Sequence, residues 1–431
     1  MNAVEGSRAA AVNAATSLPS TPSMLSTPSA PPPEMTRVPV ILLGLGGVGR
    51  ALVRQIVAAR GVHARRFGLA LDVAAVADST AAVLPVPPRT ALADDDLPAF
   101  TIAKDRGRSL WGMTTSPSLP RHLAWNDDPY AWRALDVPHA IVVDCTASAA
   151  TTPHLRAALE RGWDIVLANK LPLAGEPDDF SFLTGDGVDA GEVAVPGRRG
   201  RARWEATVGA GVPLIATLAR LVAADDALVR IEGTFSGTLN FVATELRAGR
   251  PLSAIVAAAR ARGFTEPDPR TDLGGHDMAR KALILARMLG GRLEIGDVRV
   301  EGLYPAAWDD PASADHVADI DAFLRRLPSL DAPTAARVAA AEAAGGVYRV
   351  VAAVTSGAGD VGEAGDAGGE SSGPSDASAS IASVTPTVVP ADSPMGRLTG
   401  TDNLVAFHTR WYDAAPLVLQ GRGAGVEATA A

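Results

Sequence analysis

The densest run of chemistry-bearing side chains is Glu266-Pro-Asp-Pro-Arg-Thr-Asp272, which leads into Gly274-Gly-His-Asp277-Met-Ala-Arg-Lys281. The second part has helical spacing, so Asp277 and Lys281, four residues apart, share a face. Glu266 and Asp272 approach from the preceding loop. Acids converging with one lysine suit an amino-acid substrate: carboxylates hold its ammonium group and the lysine serves a reacting oxygen. The pattern fits equally well an exposed i, i+4 ion pair worth about 0.3–0.5 kcal/mol. His276, one residue from Asp277, need not share its face and reads as an exposed side chain.

A second group implies a dinucleotide. Gly44-x-Gly46-x-x-Gly49 follows the apolar run Val38–Leu43 and opens an amphipathic stretch carrying Val48, Leu52, Val53, Ile56 and Val57. In such a turn the first glycine permits the bend, the second lets backbone approach a pyrophosphate, and the third lets helix and strand pack closely. The helix N-terminus then favours the phosphates. A plain glycine-rich turn is the alternative. Asp78 ends the next apolar run, Leu71–Ala77. An acid there accepts hydrogen bonds from ribose hydroxyls and favours NAD by repelling a 2′-phosphate. Arg60, Arg65 and Arg66 nearby favour NADP, and a turn aspartate is the plainer reading. Asp144-Cys-Thr146-Ala-Ser148 and Asn169-Lys170 each follow a further apolar run, where ligands bind in open α/β sheets. Turn chemistry for Thr146 and Ser148, and a solvated charge for Lys170, are the alternatives.

These residues need elements to hold them. Strands are expected at Val38–Leu43, Leu71–Ala77, Ala140–Val143 and Asp164–Ala168. Helices are expected after Gly46, with a stop at Gly61, and from Thr151 to Arg161, closed by Gly162. This alternation implies a parallel sheet covered on both faces, an α/β fold of Rossmann type. Residues 81–136 show no assignable pattern. Further on, helices are expected at 213–224, 252–262 and 276–290. Strands are expected at 228–232, 347–355, 381–388 and 402–407, the middle two as a hairpin. Residues 356–380, dense in Gly, Ser, Ala and acids, read as a floppy insertion in that hairpin. Residues 1–36, rich in Ala, Ser, Thr and Pro, read as a disordered tail. The domains are thus 37–202 for the nucleotide, 203–400 for catalysis and dimerisation, and 401–431 returning to the first.

The 431 residues carry a net charge of -9 without a long basic run, which argues against a nucleic-acid partner. No stretch approaches the roughly 20 apolar residues that span a bilayer. A single cysteine, Cys145, allows no intramolecular disulfide, and a cytoplasmic setting fits best, with organellar import through the Ser-rich tail as the minor alternative.

Five segments together resemble the homoserine dehydrogenase family: 168–173, 205–215, 231–240, 264–281 and 416–425, in the family's order. The resemblance runs from about Val38 to the end, and the segment through Lys281 is its most specific part. It implies NAD(P)-dependent interconversion of L-homoserine and L-aspartate 4-semialdehyde, in threonine, methionine and isoleucine biosynthesis. It further implies a homodimer of the kind without kinase or regulatory domain, with weak threonine sensitivity. Lys281 would be the proton donor and Lys170 a second acid–base group, with Thr238, Glu266, Asp272 and Asp277 binding the amino acid. The dinucleotide set would be Gly44, Gly46, Val48, Gly49, Asp78, Thr146, Ser148, Lys170 and Gly425. A monovalent cation, sodium, would lie on Glu205 and the carbonyls of Val208, Ala210 and Val212. The chain ends at Glu427–Ala431, where relatives continue into a last helix packed on the nucleotide domain. The competing readings are a dehydrogenase for another amino or hydroxy acid, and a nucleotide-binding protein without turnover.

Overall fold

The computed structural model describes residues 35–114, 120–185, 196–266, 268–356, 381–423 and 425–431. The expected tail (residues 1–34 of it) and the insertion (357–380) lie outside the described residues.

The first sheet has seven strands: β1 Thr36–Leu43, β2 Leu69–Ala77, β3 Ala82–Pro85, β4 Leu123–Asn126, β5 Ile141–Asp144, β6 Asp164–Leu167 and β7 Ala202–Arg203. Their order is β4-β3-β2-β1-β5-β6-β7. The five strands from β2 to β7 run parallel, as the alternation of strand and helix requires. The sheet is nevertheless mixed, because β3 and β4 are antiparallel additions to its edge. Only Asp78–Ala81 separates β2 from β3, and a parallel pairing needs a crossover of a dozen or more residues. Chain order reverses between β1 and β5, and the crevice at the carboxyl ends of these strands is where ligands bind in such sheets.

Helix α1 spans Gly47–Phe67 and runs through Gly61, where a stop was expected. An interior glycine costs only about 1 kcal/mol relative to alanine. The end comes at Gly68, whose positive φ of 62° lets its N–H reach the Ala64 and His63 carbonyls. Helix α2, Leu97–Asp105, lies in the stretch that showed no pattern. Helix α3, Thr152–Arg161, closes on Gly162 as expected.

The second sheet contains β8 Leu228–Thr234, β9 Arg299–Val300, β10 Gly346–Thr355, β11 Ile381–Pro390, β12 Asp402–Thr409 and β13 Leu417–Arg422. Its order is β13-β12-β8-β10-β11-β9, and β10 and β11 form the expected antiparallel hairpin. The helix His276–Met288 buries Met278, Ala279 and a continuous run from Ala282 to Met288. These side chains share one apolar core with β10 and β11 on one side and with Leu173, Phe180 and Leu183 of the first domain on the other. Its last turn carries Arg287, 3% exposed, which donates to the carbonyls of Leu173 at 2.8 Å and Gly175 at 2.7 Å. The two sheets are therefore locked together through the helix that bears Lys281.

Candidate active site

Lys281 and Lys170 meet on one carboxylate. Lys281 Nζ lies 2.6 Å from Asp277 Oδ2, and Lys170 Nζ lies 2.7 Å from Asp277 Oδ1. The side chains of Asp277 and Lys281 are 22% and 14% exposed, so the exposed-pair reading fails. Lys281 also donates to the Phe235 carbonyl at 2.8 Å. Burial opposes ionisation of Asp277, but the two ammonium groups outweigh it and hold its carboxyl far below the usual carboxylate range.

Asp272 sits in a short helix, Arg270–Leu273, rather than in a loop. It accepts hydrogen bonds from Glu266 N at 2.8 Å and from Thr238 Oγ1 at 3.1 Å. Thr238 opens the helix Gly237–Arg247, capped by Ser236, so residues 235–238 bridge Lys281 to Asp272. Burial pushes the Asp272 carboxyl up to about 6, helped by Asp277 and Glu266 and against its two hydrogen bonds. Glu266 is exposed, and its carboxylate makes no hydrogen bond or ion pair among the described residues. His276 is exposed, 3.7 Å from Asp309. Behind it opens a cavity of about 360 Å³ lined by Glu301, Tyr304, Asp309 and Arg337, which holds neither lysine.

Lys170 is aimed by a network that the sequence did not reveal. Asn169, 3% exposed, donates to Asp144 Oδ2, Thr146 Oγ1 and the Ser148 carbonyl, and accepts from Leu171 N. Thr146 and Ser148 thus shape the turn after β5, with Ser148 accepting from Ala150 N. Cys145 beside them is no nucleophile, since burial and Asp144 push its thiol up to about 12.

The glycine-rich turn fits a dinucleotide. Gly44 has φ 87°, and a Cβ there would meet the Cys145 and Thr146 backbone at under 3 Å. A Cβ on Gly49 would lie 2.0 Å from the Gly44 carbonyl, whereas one on Gly46 would meet nothing within 4 Å. Gly44 and Gly49 therefore serve packing, and Gly46 leaves its backbone open to a ligand at the start of α1, two residues before Val48. Gly425 lies just before a short helix, Val426–Ala430, whose Val426 covers Gly47. The last described residues do pack on α1, where Gln55 donates to the Glu427 carbonyl.

Two of the expected ligand-holding carboxylates, Asp78 and Glu205, already accept hydrogen bonds within the protein. The Asp78 carboxylate accepts hydrogen bonds from Thr80, Ala81, Lys104 and Leu110. Arg60 is also consumed, by Asp72 and Asp94, and Arg65 and Arg66 lie in the last turn of α1, away from the glycine-rich turn. At the expected cation site, both Glu205 oxygens cap the helix Leu214–Ala223 through Ile215 N and Ala216 N. Gly209 and Ala210 have φ of 86° and 57°, and among the described residues the carbonyls of Val208 and Ala210 accept no hydrogen bond, while that of Val212 accepts from Leu214 N. No group of three His, Cys, Asp or Glu suited to a metal occurs among the described residues.

Residues 213–431 match the sequence profile described as homoserine dehydrogenase, and residues 44–186 match that of its NAD binding domain. The chain belongs to the homoserine dehydrogenase family. A homoserine dehydrogenase of Paracoccidioides brasiliensis is 31% identical over 399 residues, 90% of this chain and 94% of that protein. A bifunctional chloroplastic aspartokinase/homoserine dehydrogenase of Zea mays is 32% identical over 395 residues, 92% of this chain. The match spans only 37% of that relative's length. Among solved structures, a Candida auris protein of unknown function aligns with a TM-score of 0.69 at 27% identity, covering 91% of this chain and 95% of that one. A hyperthermophilic archaeal homoserine dehydrogenase in complex with NADPH aligns at 0.61 and 20% identity, covering 92% and 94%, which shows the shared fold. In this family frame the conjunction of Lys170, Lys281 and Asp277 sits where the two matched regions meet. Among the described residues, no helix is long and apolar enough to cross a membrane.

Proposed function

We propose that the chain is a homoserine dehydrogenase, interconverting L-homoserine and L-aspartate 4-semialdehyde with NAD or NADP. The observation that carries this is the convergence of Lys170, from the dinucleotide domain, and Lys281, from the second domain, on Asp277. The dinucleotide would rest on Gly44, Gly46 and Gly49, along Val48 and the Thr146–Ser148 turn, with Gly425 over it, and would exchange a hydride with the substrate carbon. Lys281, fixed by Asp277 and the Phe235 carbonyl, gives a proton to the alkoxide in reduction and removes it in oxidation. A positioned acid of this kind is worth roughly 10²–10⁴-fold. Lys170 stabilises the same oxygen as a second positive charge. Glu266, unpaired and exposed, and Asp272 hold the substrate ammonium, with Thr238 fixing Asp272.

A sodium ion on the Val208 and Ala210 carbonyls, with Glu205 and Val212 around it, would brace the loop before Leu214; hard oxygen donors suit such a cation. Exposed Val229, Trp411 and Tyr412, gathered where β8 begins and β12 ends, suit burial in a homodimer. The cytoplasm, with its reduced thiols, suits a chain with one free cysteine.

The test follows reduced nicotinamide by absorbance with homoserine and either NAD or NADP, with Lys281→Ala beside the wild type. Turnover that disappears in the variant supports the assignment. A wild type that binds the dinucleotide but oxidises other hydroxy acids in preference to homoserine overturns it.

A further inference from the structure

The cavity of about 360 Å³ beside the helix that bears Lys281 holds neither lysine. Its volume suits a small molecule. One wall is β9 and the turn after it, through Tyr304, and the opposite side is the helix Asp331–Ala343, which carries Arg337. Val300, Leu303, Leu330 and Pro333 make part of the lining apolar.

The two acids in it have spare acceptors. The Glu301 carboxylate makes no hydrogen bond or ion pair among the described residues, although the Glu301 N–H donates to the Val384 carbonyl at 2.8 Å. Asp309 accepts from the Tyr304 hydroxyl on Oδ2 at 2.7 Å, with His276 3.7 Å away, and its Oδ1 accepts nothing among the described residues. Burial and Asp309 push the Tyr304 pKa up, so the hydroxyl stays a donor. Arg337 is exposed, stands beside the Tyr348 hydroxyl and feels the Glu301 charge, yet it pairs with no carboxylate among the described residues. Charges of both signs thus line one partly apolar space without neutralising each other, which is the complement of a zwitterion.

The wall is tied to the active site. Leu303 N donates to the Leu273 carbonyl at 2.8 Å, and the Tyr304 hydroxyl lies 3.2 Å from the Arg270 carbonyl. Arg270 and Leu273 are the two ends of the short helix that bears Asp272. A Cβ on Gly302 would lie 2.9 Å from Gly274 Cα, so backbone touches backbone just before the helix of Asp277. His276, which lines the cavity, directly precedes Asp277. A ligand that shifts this wall therefore shifts the carboxylate that holds both lysines.

We propose that this cavity binds an α-amino acid with an apolar side chain, its ammonium on Glu301 and Asp309 and its carboxylate on Arg337, and that occupancy slows the reaction by displacing Asp277. The binding stands on the cavity alone, and the effect on rate rests on the homoserine dehydrogenase reading above. A displacement of about 1 Å at a positioned group can cost ~10²-fold in rate.

The test titrates the full chain by calorimetry with L-valine, L-isoleucine and L-methionine. Each is run beside the amine that lacks its carboxyl group and the carboxylate that lacks its amino group. Wild type is compared with Glu301→Gln, Arg337→Met and Glu266→Gln, the last altering the proposed substrate site. At least one of the three amino acids should bind wild type and Glu266→Gln alike. One charge-assisted contact corresponds to about tenfold in affinity. Glu301→Gln and Arg337→Met should each weaken binding by that factor, as should loss of either charged group from the ligand. Without the amino acid, Glu301→Gln and Arg337→Met should turn over homoserine as wild type does. With it, wild-type kcat should fall several-fold while the KM for homoserine stays in place.

No binding of any of the three amino acids would overturn the proposal. So would binding lost in Glu266→Gln and kept in Arg337→Met, which would put the amino acid in the substrate site. An amine that binds as tightly as its amino acid would make the cavity a site for cations and remove the role of Arg337. Binding with unchanged kcat would refute the effect on rate. A wild type without homoserine turnover would sink the proposed activity and the rate effect with it, while calorimetry still decides the cavity.

Discussion

Lys170 and Lys281 belong to different domains yet bind opposite oxygens of the same carboxylate, that of Asp277. Asp277 thus keeps two like charges together at the proposed reaction site. Asp277→Asn should leave them facing one another unneutralised. Repulsion between the two ammonium groups should then drive the lysines apart. Misplacement of the lysines should lower kcat/KM by roughly 10²-fold or more. An unchanged kcat with a raised KM for homoserine would assign Asp277 to substrate binding alone.

Asp272 should set a pH limit on substrate affinity. Burial raises its carboxyl from 3.8 to about 6 in the folded protein. A raised carboxyl binds its proton more tightly when folded. Its contribution to stability is therefore complete below its ordinary value and lost as pH rises through about 6. Ammonium binding runs the other way, because it needs the ionised form. The KM for homoserine should climb as pH falls through about 6, while kcat changes less. A KM independent of pH between 5 and 7 would remove Asp272 from the ammonium site.

The glycines of the nucleotide turn should separate packing from binding. Gly49→Ala would drive a methyl to 2.0 Å from the Gly44 carbonyl, so both folding stability and cofactor affinity should drop. Gly46→Ala meets nothing within 4 Å, so its melting temperature should match wild type while dinucleotide affinity falls tenfold or more. Thermal melts and cofactor titrations on the two variants check both halves. A Gly46→Ala protein that binds the dinucleotide normally would place the pyrophosphate elsewhere.

What could be read from the residues in order was what depends on near neighbours. The strand–glycine–helix unit at 38–57 carries its own periodicity, and Asp277 and Lys281 are one helical turn apart, so both were legible. Gly61 and Gly68 are the same residue type, and only packing decides which one ends α1. Strands β3 and β4 are four residues each, too short for an alternation to stand out in 81–136. The engagement of Asp78 was illegible for a further reason. Its partners Lys104 and Leu110 arrive from that same stretch, and no spacing rule connects them to the end of β2. Asn169 was visible only as the neighbour of Lys170, and its buried hydrogen bonds to Asp144, Thr146 and Ser148 depend on two strands lying side by side.

Arg287 should matter to catalysis although it touches neither lysine. Its guanidinium donates through Nη1 to Leu173, through Nη2 to Gly175 and through Nε to the Leu293 carbonyl at 2.9 Å. Leu173 belongs to the short helix that begins directly after Lys170, and Arg287 lies on the helix of Lys281. The planar fork therefore sets the spacing between the two lysines, a task that a single ammonium does not reproduce. Arg287→Lys should lose about 2–3 kcal/mol of stability, the scale of one or two hydrogen bonds to a charged group. At temperatures where the variant remains folded, kcat should fall several-fold with cofactor affinity unchanged, because the glycine-rich turn lies outside this contact. Unfolding by denaturant and steady-state kinetics on the same protein measure both effects. A stability loss with wild-type kcat would show that the lysines are positioned by Asp277 alone.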